Sequence, residues 1–180
     1  MKSKRKSIWL LLCGLLALGL CLMTGCGRTS DIVRAKEYAL IDLHLHLDGS
    51  MSLASVRELA EMQAITLPES DEELQLLLQV DEDCKDLNEY LEKFDLTVSL
   101  LQTEEAISIA VYNLERELKE LGLLYAEIRF APQLHTENGL TQAEIVEAAI
   151  EGMNRCDFRS NLILCCMRGN TNHEQNLETV

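Results

Sequence analysis

Positive charge is scarce in this chain. Lysine and arginine number 16 against 30 aspartates and glutamates, for a net charge of −14 over 180 residues. Four of the basic residues lie in residues 1–26, which hold no acidic residue; taking those four from −14 leaves −18 on residues 27–180. Such a surface repels nucleic-acid phosphate and argues against nucleic-acid binding. None of the seven cysteines stands in a C-x-x-C pair, which argues against a zinc ribbon or a thioredoxin-like motif. The glycine fingerprints G-x-G-x-x-G and G-x-x-x-x-G-K-[ST] are missing, and with them the strongest signals of nucleotide-binding folds. Internal repeats and low-complexity tracts are also missing. What is present in quantity is apolar: 47% of the residues, enough for one globular domain with a sizeable core.

The apolar residues are unevenly spent. "MKSKRKS" is followed by the 15-residue run "IWLLLCGLLALGLCL", short for a spanning helix, and then by "MTGC". Residues 1–26 resemble a bacterial lipoprotein signal, with Cys26 as the lipidated new N-terminus. Met23 departs from the leucine usual at that position, and an uncleaved N-terminal anchor is the alternative. Either reading places the rest of the chain outside the cytoplasm, secreted or tethered at a membrane, with residues 27–38 as linker. Of the four later cysteines, Cys165 and Cys166 fall in the apolar run "NLILCCMRG" and are expected as small core residues on a strand.

Beyond the linker, strand and helix signals alternate. "YALIDLHLHLD", "LLYAEIRFAP" and "NLILCCMRG" read as strands, the second ended by Pro132. Between them lie helices starting at Ser52, Ser70 and Thr103, one over "DLNEYLEKFDLTVSLLQ", and one starting at Thr141. The caps are Ser or Thr, and Gly122 stops the long helix after Thr103. Strands separated by helices pair in parallel, and nearly all-apolar strands are expected to be covered on both faces. The fold class is therefore α/β, with a doubly wound sheet and a (β/α)8 barrel as candidates.

The first strand carries the candidate chemistry. In "LIDLHLHLDGS", residues two apart share a face. His44, His46 and Asp48 point one way, and Leu43, Leu45 and Leu47 point the other, toward covering helices. In a barrel the polar set faces the interior at the carboxyl end, where barrel active sites sit. Two neutral imidazoles on alternate positions can share one zinc ion, and the carboxylate can bind metal, orient a histidine or hold substrate. Gly49 permits a sharp turn and close backbone approach. A half-exposed strand with a polar outer face is the structural alternative.

"LIDLHLHLDGSMSLASVRELA" resembles the opening of the adenosine deaminases, metal-dependent hydrolases built on a (β/α)8 barrel. The resemblance continues through "YLEKFDLTVSLLQT", "LLYAEIRFAPQLHTENGLTQAEIVEAAIEG", "NLILCCMRG" and "NLETV", covering residues 39–180. It implies that His44 and His46 are the first two zinc ligands, that His46 and Asp48 also contact a purine nucleoside, Asp48 near the ribose 5′-hydroxyl, and that Phe94 lies in a region lining the pocket. It implies zinc-assisted attack of hydroxide on the amine-bearing ring carbon, with a glutamate moving the proton, ammonia leaving and inosine as product. The cytidine-deaminase signature of H-x-E with P-C-x-x-C is absent.

The family's third zinc histidine, its acid/base glutamate, a further histidine and an aspartate ligand have no match before Val180. About three strands of eight are legible, so the expectation is an incomplete barrel, the N-terminal portion of a longer deaminase, inactive by itself. His135 is expected at a pocket rim or surface, and His173 as a weak candidate ligand. Three other readings stay open: a related hydrolase acting on another purine, a non-catalytic zinc- or nucleoside-binding lipoprotein remnant, and a purely structural module.

Overall fold

The computed structural model describes residues 39–80, 82–169 and 173–180. The expected signal segment 1–26 with Cys26, and the linker 27–38, lie outside the described residues. Three strands form one sheet: β1 (Leu40–His46), β2 (Leu123–Phe130) and β3 (Ser160–Leu164), in the order β1-β2-β3. They run parallel, as the intervening helices require. The register of β2 on β3 runs from Ala126 opposite Ser160 to Phe130 opposite Leu164. The Leu47 N–H donates to the Arg129 carbonyl at 3.0 Å, and the Cys165 N–H to the Phe130 carbonyl at 2.9 Å. These two bonds fix the carboxyl ends of all three strands level with one another.

The helices start where the capping residues stand. α1 (Leu53–Met62), α2 (Asp71–Leu78), α5 (Glu104–Glu120) and α6 (Gln142–Asn154) open on Ser52, Ser70, Thr103 and Thr141, whose hydroxyls accept from N3 backbone N–H groups. Thr141 and Glu144 complete a reciprocal capping box. α5 stops at Gly122, whose φ of +87° suits glycine. α5 and α6 touch through Gly152: a Cβ there would stand 2.4 Å from the Ser108 carbonyl oxygen. The core lies between these helices and one sheet face. Val56, Leu59, Ile107, Val111 and Ile145 pack with Ala126, Ile128 and Phe130.

Several expectations need correction. The segment expected as one helix over 86–102 is divided into α3 (Leu87–Leu91), a 3-10 turn over Glu92–Phe94 and α4 (Asp95–Leu100). The turn tightens where Phe94 packs edge-on to Tyr90, ring centroids 5.3 Å apart, and against Gly49. Cys165 and Cys166 lie beyond the strand rather than in a core. β2 ends at Phe130, Pro132 opens a 3-10 turn, and β3 loses its ladder partner after the Cys165 N–H. The leucines expected on the first strand are not uniformly covered either: Leu47, just past the end of β1, is buried, Leu45 half-buried and Leu43 58% exposed. Nor are the strands covered on both faces. β2 alternates between buried Ala126, Ile128 and Phe130 and half-buried Tyr125, Glu127 and Arg129. His135 is buried, not at a rim, because the turn after Pro132 folds its ring in against Phe130, centroids 5.8 Å apart. The last helix, α7 (His173–Thr179), begins with an exposed His173.

Candidate active site

A cavity of about 690 Å³ opens at the carboxyl ends of the three strands. His44 and His46 line it together, as the alternation on β1 requires, and Asp48 joins them from the turn that follows the strand. The two imidazole centroids lie 5.4 Å apart with the rings tilted by 36°. Tyr90 and Phe94 form an aromatic wall, and Arg129 and Cys165 come from β2 and the end of β3. A cavity of comparable volume at the amino end of the sheet, beside Tyr125, Arg159 and Ser160, gathers no imidazole. The chemistry therefore concentrates at the carboxyl end, where barrel folds carry their sites.

The electrostatics of the His–His–Asp set are uneven. Burial lowers the pKa of His46, with Arg129 and His44 adding to that effect against the upward pull of Asp48. The shift favours the neutral form, which offers a lone pair. Burial raises the Asp48 pKa, opposed by His46 and by backbone hydrogen bonds at Asp48 and Gly49. Asp48 Oδ1 is buried with no hydrogen-bond partner, and His46 Nδ1 stands 3.8 Å away, beyond hydrogen-bond reach. A buried acceptor left unsatisfied in an open-mouthed cavity is a group waiting for a donor. The turn carrying it depends on Gly49, where a Cβ would meet Phe94 Cε1 at 3.0 Å.

The donor set fits a borderline metal ion in kind, with two imidazoles on one strand face and a carboxylate beside them. Among the described residues no group of three or more His, Cys, Asp or Glu side chains is arranged to hold a metal. His135 is walled into the core, and His173 does not line the cavity.

Sequence reasoning missed Arg129 and Cys165. Arg129 donates through Nε and Nη2 to Cys165 Sγ at 3.3 and 3.2 Å, and its Nη1 lies 2.8 Å from Nε2 and 3.3 Å from Nδ1 of His44. The available signal was the same period of two that exposed the histidines: Tyr125, Glu127 and Arg129 alternate with apolar residues along β2. Cys84, Cys156, Cys165 and Cys166 are all free thiols.

Three parallel strands in an open sheet, with helices on one face and polar groups at the strands' carboxyl ends, form the arrangement of the opening units of a (β/α) barrel. An adenine deaminase structure from Arthrobacter aurescens superposes with a TM-score of 0.57 at 27% identity, covering 69% of this chain and 38% of that one. The adenosine deaminase family model matches residues 39–180. The adenosine deaminase of Haemophilus ducreyi is 53% identical over 150 residues, 80% of this chain and 44% of that protein. That of Enterococcus faecalis is 43% identical over 139 residues, 75% of this chain and 41% of that protein. The chain belongs to the adenosine deaminase family. It spans less than half the length of these two relatives.

Proposed function

We propose that the site is part of a zinc-dependent adenosine deaminase, which hydrolyses adenosine or deoxyadenosine to the inosine product and ammonia, and that residues 39–180 contribute its first metal ligands and part of its nucleoside pocket. The observation that carries this reading is the convergence of His44, His46 and Asp48, whose Oδ1 has no hydrogen-bond partner, on one cavity in a chain of this family. His44 and His46 would hold the ion. When bound, zinc supplies Lewis acidity that makes water nucleophilic near neutral pH. The chain's own residues do the rest of what this half of the pocket requires. Asp48 accepts a hydroxyl hydrogen bond from the sugar, relieving its buried Oδ1. Phe94 and Tyr90 offer an apolar wall to the base. The acid/base carboxylate that moves the proton is not among the residues gathered here, nor is a third ligand, and a catalytic zinc takes three protein ligands with one position open. The chain by itself is therefore expected to hold metal weakly and not to turn over adenosine.

The test is an ultraviolet assay of adenosine conversion. The 180-residue chain is expected to be silent, and a complete barrel carrying these residues is expected to be active. In that barrel, replacing His44 and His46 by asparagine should abolish turnover. Turnover by the chain alone, or turnover surviving the double replacement, contradicts the reading.

A free purine base is the second substrate reading, supported by the likeness to the adenine deaminase structure. Asp48 discriminates. If the substrate carries ribose, Asp48→Asn raises KM for adenosine about tenfold or more, in line with the loss of a charged hydrogen bond worth roughly 1.5–3 kcal/mol. If the base alone is the substrate, the effect on adenine is within about twofold.

We also read the protein as extracytoplasmic and membrane-anchored through its N-terminus, supported by the basic run, the apolar run and Cys26 in the sequence. Mass spectrometry of the mature protein should find a lipid-modified Cys26 at the N-terminus. An unprocessed Met1 with an unmodified Cys26 rules out lipidation.

A further inference from the structure

We propose that Arg129 is a positioning residue for His44, holding the imidazole with its lone pairs free while its positive charge weakens the grip of a divalent ion on that ring. The inference deepens the metal reading above and rests on it. A single nitrogen, Nη1, approaches both ring nitrogens of His44, at 2.8 Å and 3.3 Å. Imidazole lone pairs point outward in the ring plane and diverge, so one atom cannot lie along both. An in-plane atom at these two distances would overlap the Cε1 carbon between the nitrogens. Nη1 therefore stands over the face of the ring, and the in-plane lone pairs stay open.

The guanidinium is itself held from the far side. Its Nε and Nη2 donate together to Cys165 Sγ at 3.3 and 3.2 Å. One planar cation thus spans the sheet, from β1 across its own strand β2 to the end of β3. All three residues line the same cavity. The planar fork suits this double duty, and a lysine ammonium could not perform it in the same way.

Two consequences oppose each other. Fixing the ring spares the ordering of one short side chain on metal binding, a small gain. Placing a unit positive charge against a doubly charged ion at close range costs more, even with solvent screening, because the interaction scales with the product of charges. The second effect wins. Removing the charge should tighten metal binding, the reverse of what mere damage to a site does.

The experiment titrates the 180-residue chain with Zn2+ and follows the imidazole signals of 15N-histidine-labelled protein by NMR. With four histidines in the chain, His44 and His46 are assigned by single substitution. Arg129→Met should bind zinc at His44 and His46 about tenfold more tightly than the unaltered chain. Arg129→Gln, the second neutral variant, should move in the same direction. Arg129→Lys, which keeps the charge, should stay within about twofold. Equal or weaker binding by a folded neutral variant overturns the inference, as does a lysine variant that tightens as much as the neutral ones. The His44→Asn, His46→Asn double variant separates this failure from failure of the underlying reading. If the unaltered chain gives no zinc response that the double variant lacks, the metal reading falls and the inference falls with it.

Discussion

At the residue scale, two buried titratable side chains away from the site, Glu115 and His135, pull stability in opposite directions with pH. Burial raises the Glu115 pKa from 4.5 to about 7, the Ser160 hydroxyl bond opposing it. Between those values the folded chain binds more protons at Glu115 than the unfolded chain does, so its contribution falls as pH rises through the window. Burial lowers the His135 pKa from 6.5 to about 4, against a backbone hydrogen bond at Leu101. There the unfolded chain binds more protons, so this contribution grows as pH rises from about 4 to 6.5. Glu115→Gln removes only the first. Its urea midpoint should gain on the unaltered chain steadily between pH 4.5 and 7, and parallel curves would contradict the assignment. Neither burial was legible in the sequence. Glu115 looks like one more acid on an amphipathic helix until Ser160, 45 residues away, is brought to it. The His–x–His–x–Asp set was legible because a strand's period of two operates locally. Arg129 was not, because its partners His44 and Cys165 lie 85 and 36 residues away.

At the scale of elements, starts were legible and stops less so. A hydroxyl before an apolar helical run identified Ser52, Ser70, Thr103 and Thr141, since capping is a contact within one turn. The end of β3 was overrun because it depends on where β2 stops pairing, a property of another strand. The contact between α5 and α6 yields a sharper prediction. At Gly152 an added Cβ meets the Ser108 backbone oxygen at 2.4 Å and Val111 Cβ at 2.9 Å, and backbone inside a helix cannot step aside. Gly152→Ala should destabilise the chain by about 1–3 kcal/mol, read as a drop in urea midpoint. Gly49→Ala should cost less, because the atom it meets belongs to the Phe94 ring, which can turn. Its effect should appear instead as altered packing of the aromatic wall.

At the scale of the whole molecule, helices cover one face of the sheet, and β1 is an edge strand among the described residues. Ile41 is 56% exposed and Leu43 58% exposed, side by side on one face of that strand. The sequence suggested covered strands because apolar content was read as burial, and apolar content alone does not say what does the covering. An apolar edge of this kind promotes association between chains. The purified chain should therefore scatter light as oligomers at micromolar concentration, and the Ile41→Lys, Leu43→Lys double variant should reduce that scattering without loss of helical signal.

The most direct measurement is metal content. The central claim is that His44 and His46, brought to one face by β1, hold a single ion between them. A complete barrel carrying these residues, loaded with Zn2+, freed of excess and analysed by elemental mass spectrometry, should retain zinc that is lost when both histidines are replaced by asparagine. Equal zinc in the two preparations would contradict it.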